Sequence, residues 1–314
     1  METISAQLTH DPTALDWSWD GKLIAVGDRN GTCLLLDAQT LEVKSTYNGK
    51  FAGKKDAWIE DIKFSPDSTR IAYGNHGGLS PVEIVEVTAQ KKLKKVATAN
   101  VGLTSALSHL DWSIDGQLLM INSQANELMF IDINSRKQVT ASGTKGMDYK
   151  TMTCLFGWPV QGIWPGLDYT DVNSVDRSRN QLLLATGDDF GQVKLFKYPC
   201  VKEKAGFNVF HGHSSHVTGV KFTANDTFVV STGGNDKTVM VWDTDINDDD
   251  QAYFGGGAAA AGQVEDDDSD GFEEEKMGAG DQNMPDDEFG FNDLGAAKEA
   301  RQDAKAKRKE KEDA

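Results

Sequence analysis

Three histidines within six residues, His211, His213 and His216 in HGHSSH, are the densest group of candidate metal ligands or general bases in this 314-residue chain. A zinc site would need further ligands at metal spacing, and no Cys or Glu stands close by. The three are therefore read as scaffold residues, and neither a metal nor a cofactor is expected. Asp188-Asp189-Phe190-Gly191 looks like a kinase metal-binding tripeptide. It lies between two β-type runs, without a glycine-rich phosphate loop or a strand lysine, so it reads as a turn. No paired carboxylates and no Ser-His-Asp arrangement can be brought together on one face, so no catalytic residue is assigned and no enzyme is expected. The remaining cluster is aromatic. Residues 154–166, CLFGWPVQGIWPG, place Trp158-Pro159 and Trp164-Pro165 in one loop. Such tryptophans either anchor a partner or fold back to fill a gap.

The elements that must hold these residues are short strands. Residues 212–243 contain three runs rich in β-branched and aromatic side chains, 217–222, 228–231 and 238–242. Gly233-Gly234-Asn235-Asp236 between the last two is a tight-turn sequence. Gly-His at the start and Trp242-Asp243 at the end give a frame that resembles one blade of a WD-repeat β-propeller. That resemblance implies a buried hydrogen-bonded set formed by His213, Asp236, Trp242 and either Ser231 or Thr232. A buried indole N–H or carboxylate lacking a partner costs roughly 1–3 kcal/mol, so such a set is structural.

Carried backwards, the frame recurs as LDWSWDGKLIAVG from Leu15, IKFSPDSTRIAYG from Ile62, LDWSIDGQLLMIN from Leu110 and NSVDRSRNQLLLATG from Asn173. The last copy is VKFTANDTFVVSTG from Val220. Anchored at Trp17, Phe64, Trp112, Val175 and Phe222, the spacings are 47, 48, 63 and 47 residues. A blade needs about 40–45, so one gap is oversized, and it holds the tryptophan loop. The expected fold is an all-β propeller of five recognisable blades over residues 1–243. WD-type rings usually close at seven, so an incomplete ring is expected, with two uncovered sheet faces through which the chain can self-associate or meet a partner. Residues 2–8, ETISAQL, read as a lone strand that belongs to a neighbouring blade.

Charge divides the chain. Of the net −17, residues 244–290 hold −15 and residues 291–314 hold +1, which leaves −3 for the first 243 residues. The 244–290 stretch, with EDDDSDGFEEEK at its centre, is too charged and too poor in apolar area to offset ordering entropy, so a disordered tail is expected. Residues 291–314, rich in Ala, Lys, Glu and Arg, suit a short charged helix or coil. Three widely spaced cysteines, Cys33, Cys154 and Cys200, suit a reducing compartment. No run of eighteen apolar residues and no secretory signal is visible. A cytoplasmic chain is expected, with neither membrane nor nucleic acid as partner.

The run from Ser108 to Trp242 resembles the C-terminal propeller of the echinoderm microtubule-associated-protein-like family. The segments that carry the resemblance are HLDWSIDGQLLMINS, TCLFGWPVQGIWP, TDVNSVDRS, LLATGDDFGQVKLFKYPC and GHSSHVTGVKF. IAVGDRNGTCLLLDAQT and IKFSPDSTRIAYGNH fit the two preceding blades. The resemblance implies a non-catalytic, cytoskeletal protein that binds tubulin or microtubules through a propeller face, with a cilium or flagellum among its settings. A general WD-repeat scaffold for a ciliary or regulatory complex is the alternative.

Overall fold

The computed structural model describes residues 7–77, 82–99, 102–144, 146–164, 171–203 and 205–244. The tail expected at 245–314, Pro165, and most of the strand expected at 2–8 lie outside the described residues. Gln7 and Leu8 are not in a strand, and Leu8 packs on Ile24, Val26, Leu34 and Leu36.

Among the described residues, nineteen strands form five antiparallel sheets in a β-propeller arrangement. Blade 1 runs β1 (Pro12–Trp17), β2 (Leu23–Asp28), β3 (Thr32–Asp37) and β4 (Val43–Asn48). Blade 2 is β5 (Ile59–Phe64), β6 (Arg70–Asn75), β7 (Val82–Val87) and β8 (Leu93–Ala99). Blade 3 is β9 (Leu107–Trp112), β10 (Leu118–Ser123), β11 (Leu128–Asp132) and β12 (Lys137–Val139). Blade 4 is β13 (Val172–Arg177), β14 (Leu183–Asp188), β15 (Gln192–Lys197) and β16 (Phe207–His211). Blade 5 has three strands among the described residues, β17 (Val217–Phe222), β18 (Phe228–Gly233) and β19 (Val239–Asp243). Strands in each blade pair in sequence order, so each blade is a meander. Second strands such as β2, β10 and β14 are buried along their whole length, as expected of strands with sheets on both faces.

The turn between the first two strands of every blade uses one chemical device. Ser18, Ser65, Ser113, Ser178 and Thr223 each donate their hydroxyl to a side chain two residues on, at 2.5–2.9 Å. The acceptors are Asp20, Asp67, Asp115, Asn180 and Asn225. Each hydroxyl oxygen also accepts the backbone N–H five residues on, which closes the hairpin. The next position turns left-handed in all five copies, at Gly21, Ser68, Gly116, Gln181 and Asp226.

Neighbouring blades are joined by a knob and a socket. Gly27 in β2 lies against Ile59, the first residue of β5, and Gly74 in β6 lies against Leu107, the first residue of β9. A methyl group on either glycine would come within 2.5 Å of that side chain. Gly187 receives Val217 in the same way. Blade 3 departs from this scheme. Asn122 stands at the glycine position and binds Phe156 at both ends of its amide, Phe156 N–H to Oδ1 at 2.8 Å and Nδ2 to the Phe156 carbonyl at 3.1 Å. Among its described residues the oversized gap therefore holds no sixth sheet. It supplies a compact segment, with 3-10 turns at Ala141–Thr144 and Trp158–Ile163, whose Met152, Cys154, Val160 and Ile163 form one core with Met120 and Phe130 of blade 3 and Leu184 and Phe196 of blade 4.

Candidate functional site

The histidine cluster resolves into one buried residue and two outer ones. His213 Nδ1 lies 3.0 Å from Asp236 Oδ2, and His213 Nε2 lies 2.7 Å from Ser231 Oγ. The Trp242 indole N–H donates to the same Ser231 oxygen at 2.7 Å. Asp236 also accepts the backbone N–H groups of Ser214 and Thr238. Burial works to raise the Asp236 carboxyl, but hydrogen bonds from Thr238, His213 and Ser214 outweigh it and hold the group below its ordinary value. The donors run in one direction if His213 carries its proton on Nδ1: Trp242 to Ser231 to His213 to Asp236. Thr232 takes no part. It faces the other side of β18, where its hydroxyl lies 3.0 Å from that of Thr218. Among the described residues no three His, Cys, Asp or Glu side chains come together as a metal site.

Ser231, His213 and Asp236 have the connectivity of a hydrolase triad, yet they cannot act as one. Ser231 is fully buried, and its oxygen already accepts the indole N–H of Trp242. The set ties the second and third strands of blade 5 to the loop that enters the blade.

A second polar system lines the hub, and sequence reading passed over it. Asp16, Lys63, Asp111, Asp176 and Lys221 occupy the same position of the first strand in the five blades. An aspartate on this layer accepts a backbone N–H from the next unit: Asp16 from Phe64, Asp61 from Leu110 and Asp176 from Phe222, at 2.7–2.9 Å. Asp111 follows the rule with the inserted segment in place of a blade, accepting Thr153 N and Cys154 N, both at 2.7 Å. Lys63 Nζ meets Asp61 and Lys221 Nζ meets Asp176, each at 2.5 Å. Burial pushes the Asp16 carboxyl above its ordinary value, against the pull of Lys63, the Phe64 N–H and Lys221 from the far end of the row. Burial raises Asp176 likewise, with Lys221 opposing. The signal was present in the sequence as a charged residue between two apolar ones in LDW, IKF, LDW, VDR and VKF.

The tryptophan loop splits its two rings. Trp164 stacks on Phe156 with centroids 4.9 Å apart and donates to the Leu155 carbonyl at 3.0 Å. Trp158 is 50% exposed although its neighbours Pro159, Val160 and Ile163 are buried. The outward face of the last blade is also open: Val239 is 67% and Val241 62% exposed. On the first blade Leu15 and Trp17 are 61% and 49% exposed.

Five meander sheets, with a Gly-His to Trp-Asp frame closed by a buried His–Ser–Trp–Asp set, define a WD-repeat β-propeller. The chain matches the family model described as the echinoderm microtubule-associated protein second beta-propeller over residues 2–244, and it belongs to that family. It is 39% identical over 224 residues to the 77 kDa echinoderm microtubule-associated protein of Lytechinus variegatus, covering 71% of this chain and 33% of that one. Echinoderm microtubule-associated protein-like 2 of Rattus norvegicus is 38% identical over the same lengths. Echinoderm microtubule-associated protein-like 4 of Homo sapiens is 36% identical over 230 residues, 72% of this chain and 23% of that one. The chain thus spans a third or less of the length of these relatives.

Proposed function

We propose that this chain is a non-catalytic binding module of the cytoplasmic cytoskeleton that contacts tubulin or microtubules through one face of the propeller. The observation that carries this reading is family membership over residues 2–244, joined to relatives whose names state microtubule association. The burial of Ser231 supports a binding role over a catalytic one. Trp158, half exposed in a turn whose Pro159, Val160 and Ile163 are buried, has the character of an interface anchor, since aromatic residues are enriched among the side chains that dominate binding energies. Co-pelleting of the full chain with microtubules over a salt series tests the reading. Binding at low salt is expected, with Trp158→Ala weakening it about tenfold at unchanged melting temperature. Absence of pelleting at low salt overturns it.

The open apolar faces of blades 1 and 5 favour a second reading, a scaffold that holds another protein or a second copy of itself at its ends. Sedimentation velocity of the full chain distinguishes the two. A concentration-dependent dimer that survives high salt fits the second reading, and a strict monomer removes self-association.

A further inference from the structure

The hairpin turns of all five blades and the inserted segment meet at one end of the hub, where each first strand bends into the second. Hydrogen bonds link them in a circuit. Trp19 N donates to Ser68 Oγ at 2.8 Å, Arg70 Nη2 to the Gly116 carbonyl at 3.1 Å, and Ile114 N to the Asp148 carbonyl at 3.0 Å. Lys150 N donates to the Trp112 carbonyl at 2.8 Å, and Lys150 Nζ returns to blade 1, 4.2 Å from the centre of the Trp19 ring. Arg179, on the turn of blade 4, stands over the same ring at 6.0 Å. Asp226 of blade 5 accepts the backbone N–H groups of Arg179 and Asn180, each at 2.8 Å.

The cations at this end are held by rings and not by carboxylates. Arg70 lies 5.5 Å from the centre of the Trp112 ring, so three cations stand on two indoles. None of Arg70, Lys150 and Arg179 forms an ion pair among the described residues. A ring face fixes a cation in place, yet unlike a carboxylate it leaves the charge to act outward. The nearby acids are turned into their own hairpins. Asp20, Asp67 and Asp115 accept the serine hydroxyl and a backbone N–H of the turn that carries them. The Trp19 indole N–H is buried and meets no acceptor among the described residues. A missing acceptor beside cations without a counter-charge is a place for an anionic oxygen.

We propose that this end of the hub binds an acidic polypeptide segment, with Lys150 and Arg179 meeting its carboxylates. Trp112 is 1% exposed and Trp19 carries two cations, so neither ring is free to stack a base as single-stranded nucleic acid requires. Ile114 and Leu182, 46% and 64% exposed, are single residues on separate turns and form no amphipathic helix for a bilayer. They offer apolar contact to the methylene groups of glutamate. This inference goes beyond the proposed microtubule binding and does not depend on it.

Fluorescence anisotropy of a labelled oligoglutamate peptide with the full chain tests the proposal. Binding is expected at low salt and should fall sharply near about 0.5 M salt, where screening shortens to a few Å. K150E/R179E should weaken it at least about tenfold, and K94E/K137E, on the outermost strands of blades 2 and 3, less than about twofold. The parent chain supplies a second readout. Its Trp19 indole resonance in 15N–1H spectra, identified by Trp19→Phe, should shift with oligoglutamate and stay in place with inorganic phosphate at matched ionic strength. Poor folding of a charge-reversed variant therefore leaves the test intact. An unmoved Trp19 resonance, an equal shift with phosphate, equal losses in the two variants, or tighter binding of an oligouridylate or of phosphatidylserine vesicles would each overturn the proposal.

Discussion

Ser231 Oγ lies 2.7 Å from His213 Nε2 and accepts the Trp242 indole proton at the same distance. One hydroxyl thus satisfies two buried ring nitrogens. Ser231→Ala leaves both without a partner, at about 1–3 kcal/mol each. The expected loss of about 2–5 kcal/mol lowers the melting temperature by roughly 5–15 °C, since 1 kcal/mol moves a domain of this size by about 2–4 °C. Thermal unfolding followed by near-UV circular dichroism reads it directly. A shift under a degree would show that the hydroxyl is not shared in this way.

Asp16 gives a test with a defined sign. Burial raises its folded pKa, so the folded chain binds this proton more tightly than the unfolded one. Its contribution to stability therefore improves as pH falls through the raised value toward the ordinary one near about 3.9. Asp16→Asn keeps an acceptor for the Phe64 N–H and removes the titration. At pH 7 the variant should be at least as stable as the parent, and the parent should gain on it as pH drops from 7 to 4. Urea midpoints for the two proteins at matched pH values decide the matter. Acids shifted the other way, such as Asp236, cancel in the difference. A difference that stays flat would remove the assignment.

All three thiols should be silent in the native state. Cys33, Cys154 and Cys200 are buried, and burial pushes Cys200 up to about 12 and raises the Cys33 and Cys154 thiols as well. The thiolate is the reactive form, so iodoacetamide should label none of them at pH 8 and all three in denaturant. Mass spectrometry counts the additions. Fast labelling of one native cysteine would place it at the surface.

Gly74→Ala should damage the joint between blades 2 and 3. The added methyl meets the side chain of Leu107, which is itself buried in the core between the blades. Overpacking of this kind costs about 1–3 kcal/mol. At the matching position of blade 5, Thr232→Gly changes an exposed site and should cost only about 0.5–1 kcal/mol from added backbone freedom. Equal effects at the two sites would refute the knob-and-socket account.

The blades were legible because each repeats a strand, a Ser-x-Asp or Asn turn and a second strand, and local chemistry fixes all three. The gap between Trp112 and Val175 was legible as an insertion but not as a replacement for a blade contact. The one local sign was Asn122 in LLMIN where the other blades have Gly or Thr, and its meaning depends on Phe156, thirty-four residues away. Choosing between Ser231 and Thr232 required strand register: they alternate across β18, and only one of them faces His213. The hub acids and lysines were missed because a single charged residue in a strand usually marks a solvent face, and only the closing of blade on blade turns that face inward.

Thr232 stands where Gly27, Gly74 and Gly187 stand in their blades, and Pro12 stands where Ile59, Leu107 and Val217 stand in theirs. The row therefore begins without a tenon and ends without a mortise. Polymerising by simple repetition of its interior joint would bring a hydroxyl-bearing branched side chain against an imino acid. A cover for the exposed valines of the last sheet must therefore use a fitting other than the glycine-and-aliphatic joint of the interior blades.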